Sequence, residues 1–121
     1  ESHDGEVTTG EIGCGAQIVA FTTGRGSPTG HPIAPVVKIT GNEKTYKAMS
    51  EMFDFDASGI ISCGDSLEDA GRALLDLVIR VAGGEQTQAE KTGDDSLMCI
   101  ARRHGYHVKS EEEIMNHCRE V

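Results

Sequence analysis

A stretch of twenty residues, FTTGRGSPTGHPIAPVVKIT at positions 21–40, decides how this chain folds. It begins at the end of an apolar run, AQIVAF, and closes on a second β-branched run, VVKIT. Three glycines and three prolines lie between the two runs. Prolines lack the backbone donor that a helix needs and hold the residue before them extended. The stretch therefore predicts two strands joined by a stiff, extended loop.

The two strands, at residues 17–22 and 36–40, show little polar alternation, which is typical of parallel strands covered on both faces. The long helix expected at 67–82 has apolar residues at helical spacing, with Ser66 as its cap and two glycines after its end. The remaining elements expected from the pattern are a short helix within 7–12, a helix at 45–53, a strand at 60–62 and a last helix from Ser110, with residues 98–108 ambiguous.

Strands that alternate with helices predict an α/β fold, here a three-layer Rossmann-like domain with a small, mostly parallel sheet. A length of 121 residues fits one domain covering residues 1–121, in which residues 96–121 form a tail with a terminal helix. Neither internal repeats nor low-complexity segments interrupt it.

The composition narrows the class of protein. Net charge is -9, and no basic cluster exceeds Arg102–Arg103–His104, so we expect no nucleic-acid partner. The longest apolar run is too short to span a bilayer, so we expect no membrane attachment. Four cysteines without a CxxC pair indicate reduced thiols in a cytoplasmic protein, with Cys14 and Cys63 expected in or near the core.

The loop does not have the spacing of a nucleotide-binding motif. Its glycines follow GxGxxxG rather than GxGxxG, and no GK[ST] ending is present. Free amides at Gly24, Arg25 and Gly26, with hydroxyls at Thr22, Thr23 and Ser27 nearby, would instead form a donor-rich nest for a small anion. Arg25 adds a planar fork that suits a carboxylate. A rigid crossover whose glycines and prolines serve geometry alone remains the alternative.

Other polar residues carry weaker signals. His31 could act as an acid, a base or a ligand, or lie on the surface, and Lys38 could face either a cleft or solvent. The pair His3–Asp4 resembles a metal pair but is more typical of a chain end. Asp54 and Asp56 could bind a cation, although a solvated turn is the more ordinary reading.

The residues TTGEIGCGAQIVAF (8–21) and FTTGRGSPTGHPIAPVVKITGN (21–42) closely resemble the signature of the altronate/galactarate dehydratase family. The resemblance continues through TYKAM (45–49), FDFDASG (53–59) and the long helix, and covers roughly residues 5–95. It implies that the chain is the C-terminal domain of a larger enzyme, a hydro-lyase that removes water from a sugar acid to give a 2-keto-3-deoxy acid.

The resemblance also implies cofactors and partners. A divalent metal, with iron the usual candidate, is expected in the full-length enzyme and none in this domain alone. Expected partners are a small sugar acid, the remaining domains of the same enzyme and a possible second copy. A related branch of the family acts on sulfolactate and releases sulfite, which is one alternative. A non-catalytic scaffold or oligomerisation domain is the other.

The predicted site follows from the loop and this chemistry. Arg25 is expected to pair with a substrate carboxylate, with help from Thr22, Thr23, Gly24 and Gly26. His31 and Lys38 are the weaker candidates, for proton transfer and for stabilising charge.

Overall fold

The computed structural model describes residues 3–95 and residue 98. Helices and strands alternate along these residues, as the sequence predicts. The elements in chain order are α1 (Asp4–Gly13), β1 (Val19–Thr23), β2 (Val36–Thr40), α2 (Glu43–Ala48), a 3-10 turn (Ser50–Met52), β3 (Phe55–Asp56), α3 (Gly59–Ser62), α4 (Leu67–Ala82) and α5 (Gln88–Thr92).

The strands form one three-stranded parallel sheet in the order β1-β2-β3. Val19 pairs with Val36 and Thr23 with Thr40 at the two ends of the first ladder, and Ile39 pairs with Phe55 in the second. The prediction of an α/β domain with a small parallel sheet is confirmed. A parallel pair usually needs a helix as its crossover. Here residues 24–35, which lack any helix, connect β1 to β2.

The hydrophobic core lies between β2 and α4. Val37 and Ile39 pack against Leu77 and Val81 of α4, with partly buried Ile18, Phe55, Ala57 and Leu74 around them. α4 has the predicted bounds because both of its ends are encoded locally. The Ser66 hydroxyl accepts a hydrogen bond from the amide of Asp69, and Gly83 and Gly84 follow the last turn.

The other face of β2 carries Val36, Lys38 and Thr40, since side chains alternate along a strand. All five residues of β2 are buried, which confirms that this strand is covered on both faces. β1 differs, because Ala20 and Thr22 are exposed. The prediction that β1 is also covered on both faces is wrong, because among the described residues β1 pairs with β2 alone and α4 packs over β2.

The strand predicted at residues 60–62 is wrong, since residues 59–62 form α3 and Ile61 is 83% exposed. The third strand is the two-residue β3. Its flanking amides, on Asp54 and Ala57, donate to the carbonyls of Lys38 and Thr40. Pairing with β2 therefore decides the position of this strand, and a short apolar run alone cannot reveal it.

The helix predicted at 45–53 is divided in two. α2 begins earlier, because the Asn42 side chain accepts hydrogen bonds from the amides of Lys44 and Thr45, and it gives way after Met49 to the 3-10 turn. The short helix expected within 7–12 is confirmed as part of α1.

Two cysteine predictions are wrong, because Cys14 and Cys63 are free and exposed. Each follows a helix end, and neither is turned towards the sheet core. Along residues 3–95, no helix is long and apolar enough to cross a bilayer. The predicted terminal helix from Ser110 lies outside the described residues.

Candidate functional site

The carboxyl edge of the sheet holds an open hollow of about 290 Å³. All three strands are parallel, so their carboxyl ends meet there, and ligands of α/β sheets bind at such edges. The end of each strand contributes to the lining, which consists of Thr22, Thr23, Gly24, Ile39, Gly41 and Ala57.

Unpaired hydrogen-bond donors lie at the end of β1 and just after it, and two of the residues that carry them, Thr23 and Gly24, line the hollow. The amides of Gly24, Arg25 and Gly26 donate no hydrogen bond to another of the described residues. The hydroxyl of Thr23 is buried and has no partner among them either. Adjacent free amides are a common anion-binding arrangement, and a buried hydroxyl without a partner is costly. The hollow can therefore accept a small group rich in hydrogen-bond acceptors.

Arg25 follows this cluster and is exposed. Its guanidinium forms no ion pair with any carboxylate in the described part of the chain. The side chain does not line the hollow, whereas Thr22, Thr23 and Gly24 do. The structure thus brings three of the five predicted binding residues to one cavity, whereas Arg25 and Gly26 do not line it.

The loop that carries these donors is held at three alternate residues. Gly26 has φ +83° and lies against the ring of Phe53, where a Cβ would overlap the ring. The carbonyl of Pro28 accepts a hydrogen bond from Lys38 Nζ at 3.0 Å. Gly30 lies against α5 and the chain after it, where a Cβ would overlap the backbone of Asp94. Within the loop, the hydroxyls of Ser27 and Thr29 share a 2.9 Å hydrogen bond.

Lys38 is buried beneath the loop, at 1% exposure. The expectation that it faces a cleft or solvent is wrong, because the loop covers this face of β2. Burial lowers the pKa of its ammonium from the ordinary value of 10.5, while the nearby carboxylates of Asp54 and Asp94 oppose that change. Its backbone amide donates to Asp54 Oδ2 at 2.7 Å.

His31 is buried too, at 6% exposure, so a surface position is wrong. Its Nδ1 accepts a hydrogen bond from the amide of Ile33 at 3.2 Å. A neutral ring that accepts at Nδ1 carries its proton on Nε2. That buried nitrogen has no partner among the described residues. His31 also borders a separate cavity of about 200 Å³ between residues 31–35 and α5, so it does not line the hollow.

The acidic residues of the two pairs that could have bound a cation have local structural roles. Asp54 accepts amides from Lys38 and Gln88, both at 2.7 Å, and Asp56 accepts the amide of Ser58 at 2.9 Å. His3 is exposed before α1, and Asp4 lies in its first turn, where a negative charge favours the helix. Residues 3–95 hold no group of three or more His, Cys, Asp or Glu side chains that suits a metal ion.

Sequence reasoning missed Phe53 and Asp54 as supports of the loop, and it missed α5. The signal for α5 was present, because Thr87 and Glu90 form a capping box, T-x-x-E. Phe53 and Asp54 gave no such signal, since their role depends on contacts across the fold.

Comparison with known proteins identifies the family. A family described as D-galactarate/altronate dehydratase, C-terminal, matches residues 1–104. The (2R)-sulfolactate sulfo-lyase subunit beta of Chromohalobacter salexigens is 42% identical over 73 residues, which are 60% of this chain and 19% of that protein. Altronate dehydratase of Escherichia coli is 33% identical over 89 residues, 74% of this chain and 18% of the enzyme. Altronate dehydratase of Bacillus subtilis is 40% identical over 78 residues, which are 64% of this chain and 15% of the enzyme.

These matched segments cover less than a fifth of each relative's own length. The family match, in contrast, runs through all of the described residues. The chain therefore belongs to the D-galactarate/altronate dehydratase family and corresponds to the C-terminal part of its members.

Proposed function

We propose that this chain is the C-terminal domain of a sugar-acid dehydratase of the altronate/galactarate type. The reaction removes water from the acid and yields a 2-keto-3-deoxy sugar acid. In this proposal the start of the glycine–proline loop holds a carboxylate of the substrate. The complete enzyme would comprise further domains and act in the cytoplasm.

One observation carries the proposal, namely the set of unpaired donors beside the hollow. Three consecutive amides, at residues 24–26, and the buried hydroxyl of Thr23 have no partner among the described residues. A carboxylate would satisfy several of these donors at once, and Arg25 is free to add a charge-assisted bond. The exposed hydroxyl of Thr22 lines the same cavity.

The chemistry explains why such a grip is useful. Dehydration of a hydroxy acid begins with loss of a proton next to the carboxylate, which creates an enediolate with extra negative charge. Fixed donors that already point at the carboxylate stabilise this charge without having to reorganise. The hydroxyl then leaves with a proton from a general acid.

The described residues do not fit a divalent metal, because they gather no set of three ligating side chains. The metal that we propose for the complete enzyme, iron, would therefore need ligands from outside residues 3–95. His31 and Lys38 stay predictions for proton transfer and charge stabilisation. For His31 the available group is the Nε2 proton, since Nδ1 is engaged by Ile33.

The test is Arg25→Ala in the complete polypeptide that carries these residues. We expect turnover of galactarate or altronate to fall more than tenfold, about 1.4 kcal/mol or more in the transition state, with an unchanged melting temperature. Arg72→Ala is the matched control, because Arg72 is an exposed arginine of α4 whose ion-pair partner among the described residues is the exposed Glu68. An unchanged rate for Arg25→Ala would refute the carboxylate grip.

A second candidate reaction is elimination of sulfite from sulfolactate. It is favoured by the 42% identity to the sulfo-lyase subunit, the highest among the three relatives above. One assay separates the two reactions: the complete protein is given galactarate, altronate and (2R)-sulfolactate, and keto-deoxy acid and sulfite are both measured. Sulfite from sulfolactate, without keto-deoxy acid from the sugar acids, would replace the first proposal with the second.

A further inference from the structure

We propose that Lys38 is a positioning residue, whose ammonium holds the glycine–proline loop in the conformation that leaves its first amides free. This proposal depends on the proposed function in one respect, namely that the ligand of the loop is a substrate carboxylate. That Lys38 holds the loop at all is a separate statement, and it can be tested without any substrate.

The first argument is the position of the Lys38 ammonium. Its Nζ donates to the carbonyl of Pro28, in the middle of the loop and ten residues earlier in the chain. The Pro28 ring has no amide to donate, so its carbonyl is the backbone group available at this residue. A charged donor makes a stronger bond than a neutral one. This bond therefore joins the centre of the loop to the central strand.

The second argument is the pattern of supports. Gly26 meets Phe53, Pro28 meets Lys38, and Gly30 meets α5. The bond to Pro28 is polar and directional, whereas Gly26 packs against an aromatic ring and Gly30 lies close to α5 and the backbone of Asp94. Removing the lysine would leave the three residues between Gly26 and Gly30 without their hydrogen bond to β2. The amides at residues 24–26 would then lose their fixed direction.

The third argument weighs against direct proton transfer by Lys38. Its side chain is 1% exposed and does not line the hollow, and its donated bond goes to a backbone carbonyl. Burying an ammonium is costly, so a chain retains one where its bond is needed. The carboxylates of Asp54 and Asp94 act in favour of the charged form.

The loop contains a trypsin cleavage site whose accessibility reports whether Lys38 holds the loop in place. Arg25 is exposed and is followed by Gly26, so trypsin can cut between them once the loop can enter the protease. Cleavage requires a mobile segment around the cut bond. We expect Lys38→Met to raise the rate of cleavage after Arg25 at least tenfold, as measured by mass spectrometry of the products from the full chain.

Three comparisons keep the result specific. Lys44→Met removes an exposed lysine of α2 and should leave cleavage after Arg25 unchanged. Cleavage after Arg72, within α4, reports global unfolding and should not rise in step. Lys38→Arg, which keeps the charge and the donors, should restore slow cleavage. Lys38→Gln, uncharged and shorter, serves as the second variant where Lys38→Met does not fold.

Unchanged cleavage after Arg25 in a folded Lys38→Met or Lys38→Gln protein would overturn the proposal. Kinetics of the complete polypeptide with galactarate, altronate and (2R)-sulfolactate then separate the two proposals. A higher KM at similar kcat supports positioning of a binding loop. Faster cleavage with unchanged KM keeps Lys38 as a loop support and refutes the carboxylate grip. A lost kcat with unchanged KM and unchanged cleavage overturns positioning in favour of proton transfer.

Discussion

Gly26 shows how much one residue of the loop is constrained. Its φ of +83° lies in the left-handed region, which residues other than glycine rarely adopt. The ring of Phe53 also occupies the space where a Cβ would stand. Backbone conformation and packing thus independently require glycine at this position.

We expect Gly26→Ala to lower the free energy of unfolding by about 2–5 kcal/mol, the sum of backbone strain and overpacking. Chemical denaturation of the full chain measures it. Gly24→Ala is the matched control for stability, because a Cβ there meets no atom within 4 Å and its φ is not positive. Equal stability of the two variants would contradict the close contact with Phe53.

At the residue scale, the sequence predicts the properties of the loop better than the surroundings of the side chains beneath it. Stiffness and free donors follow from the glycines and prolines themselves. The surroundings of Lys38 and His31 do not, because alternation along a strand tells which face a side chain takes and not what covers that face. Whether a charged or titratable side chain is buried depends on tertiary contacts, which the periodicity of the sequence does not reveal.

Among the elements, α5 is tied to the sheet by a single carboxylate. Asp54 Oδ2 accepts the amide of Lys38 in β2, and Oδ1 accepts the amide of Gln88, the first residue of α5. Both oxygens are therefore engaged. Since α5 in turn lies against Gly30, this carboxylate helps to fix the far end of the loop.

We expect Asp54→Asn to cost about 1.5–3 kcal/mol of stability, because an amide side chain has one acceptor oxygen and can keep only one of the two bonds. Thermal unfolding measures the loss. Asp56→Asn is the control, since Asp56 uses only Oδ1, and it should change stability by about 0.5 kcal/mol or less. Equal effects in the two variants would contradict the role of the two hydrogen bonds that the Asp54 carboxylate accepts.

The elements that the sequence predicts well are those encoded by their own residues. α4 has a cap, a long apolar stripe and terminal glycines, and β2 is uniformly β-branched apart from Lys38. The strand expected at residues 60–62 is wrong, and β3 is not predicted, because two residues carry no period and the position of β3 depends on its pairing with β2. The family resemblance added an expected chemistry for the loop, which residue patterns alone left open.

At the scale of the whole molecule, several large apolar side chains of the described residues are exposed. Leu67 at 73%, Ile79 at 59% and Leu75 at 58% belong to α4, Ile61 at 83% belongs to α3, and Ile33 at 76% belongs to the loop before β2. α4 turns Leu77 and Val81 to the core, and its apolar stripe is wider than the sheet covers. On the sheet, Ala20 and Thr22 of β1 are exposed as well. Exposed apolar patches favour association with another protein surface.

We expect the isolated 121 residues to self-associate in a concentration-dependent way, as measured by analytical ultracentrifugation. Leu75→Glu should shift the equilibrium towards monomer without lowering the melting temperature, because Leu75 is mostly exposed. Ala73→Glu adds the same charge at another exposed position of α4 and should leave association unchanged. A chain that stays monomeric at all concentrations would contradict an oligomerisation role for this surface.

The hollow at the carboxyl edge is assembled from segments far apart in the chain, from Thr22 to Ala57. No short peptide from this region could reproduce it, because the three segments become neighbours only when the parallel ladders form. Any small acid that occupies it must therefore be linked thermodynamically to folding, and saturating concentrations would shift the equilibrium towards the native chain. Tolerance of heat or denaturant would then report occupancy directly, even in a chain that performs no chemistry.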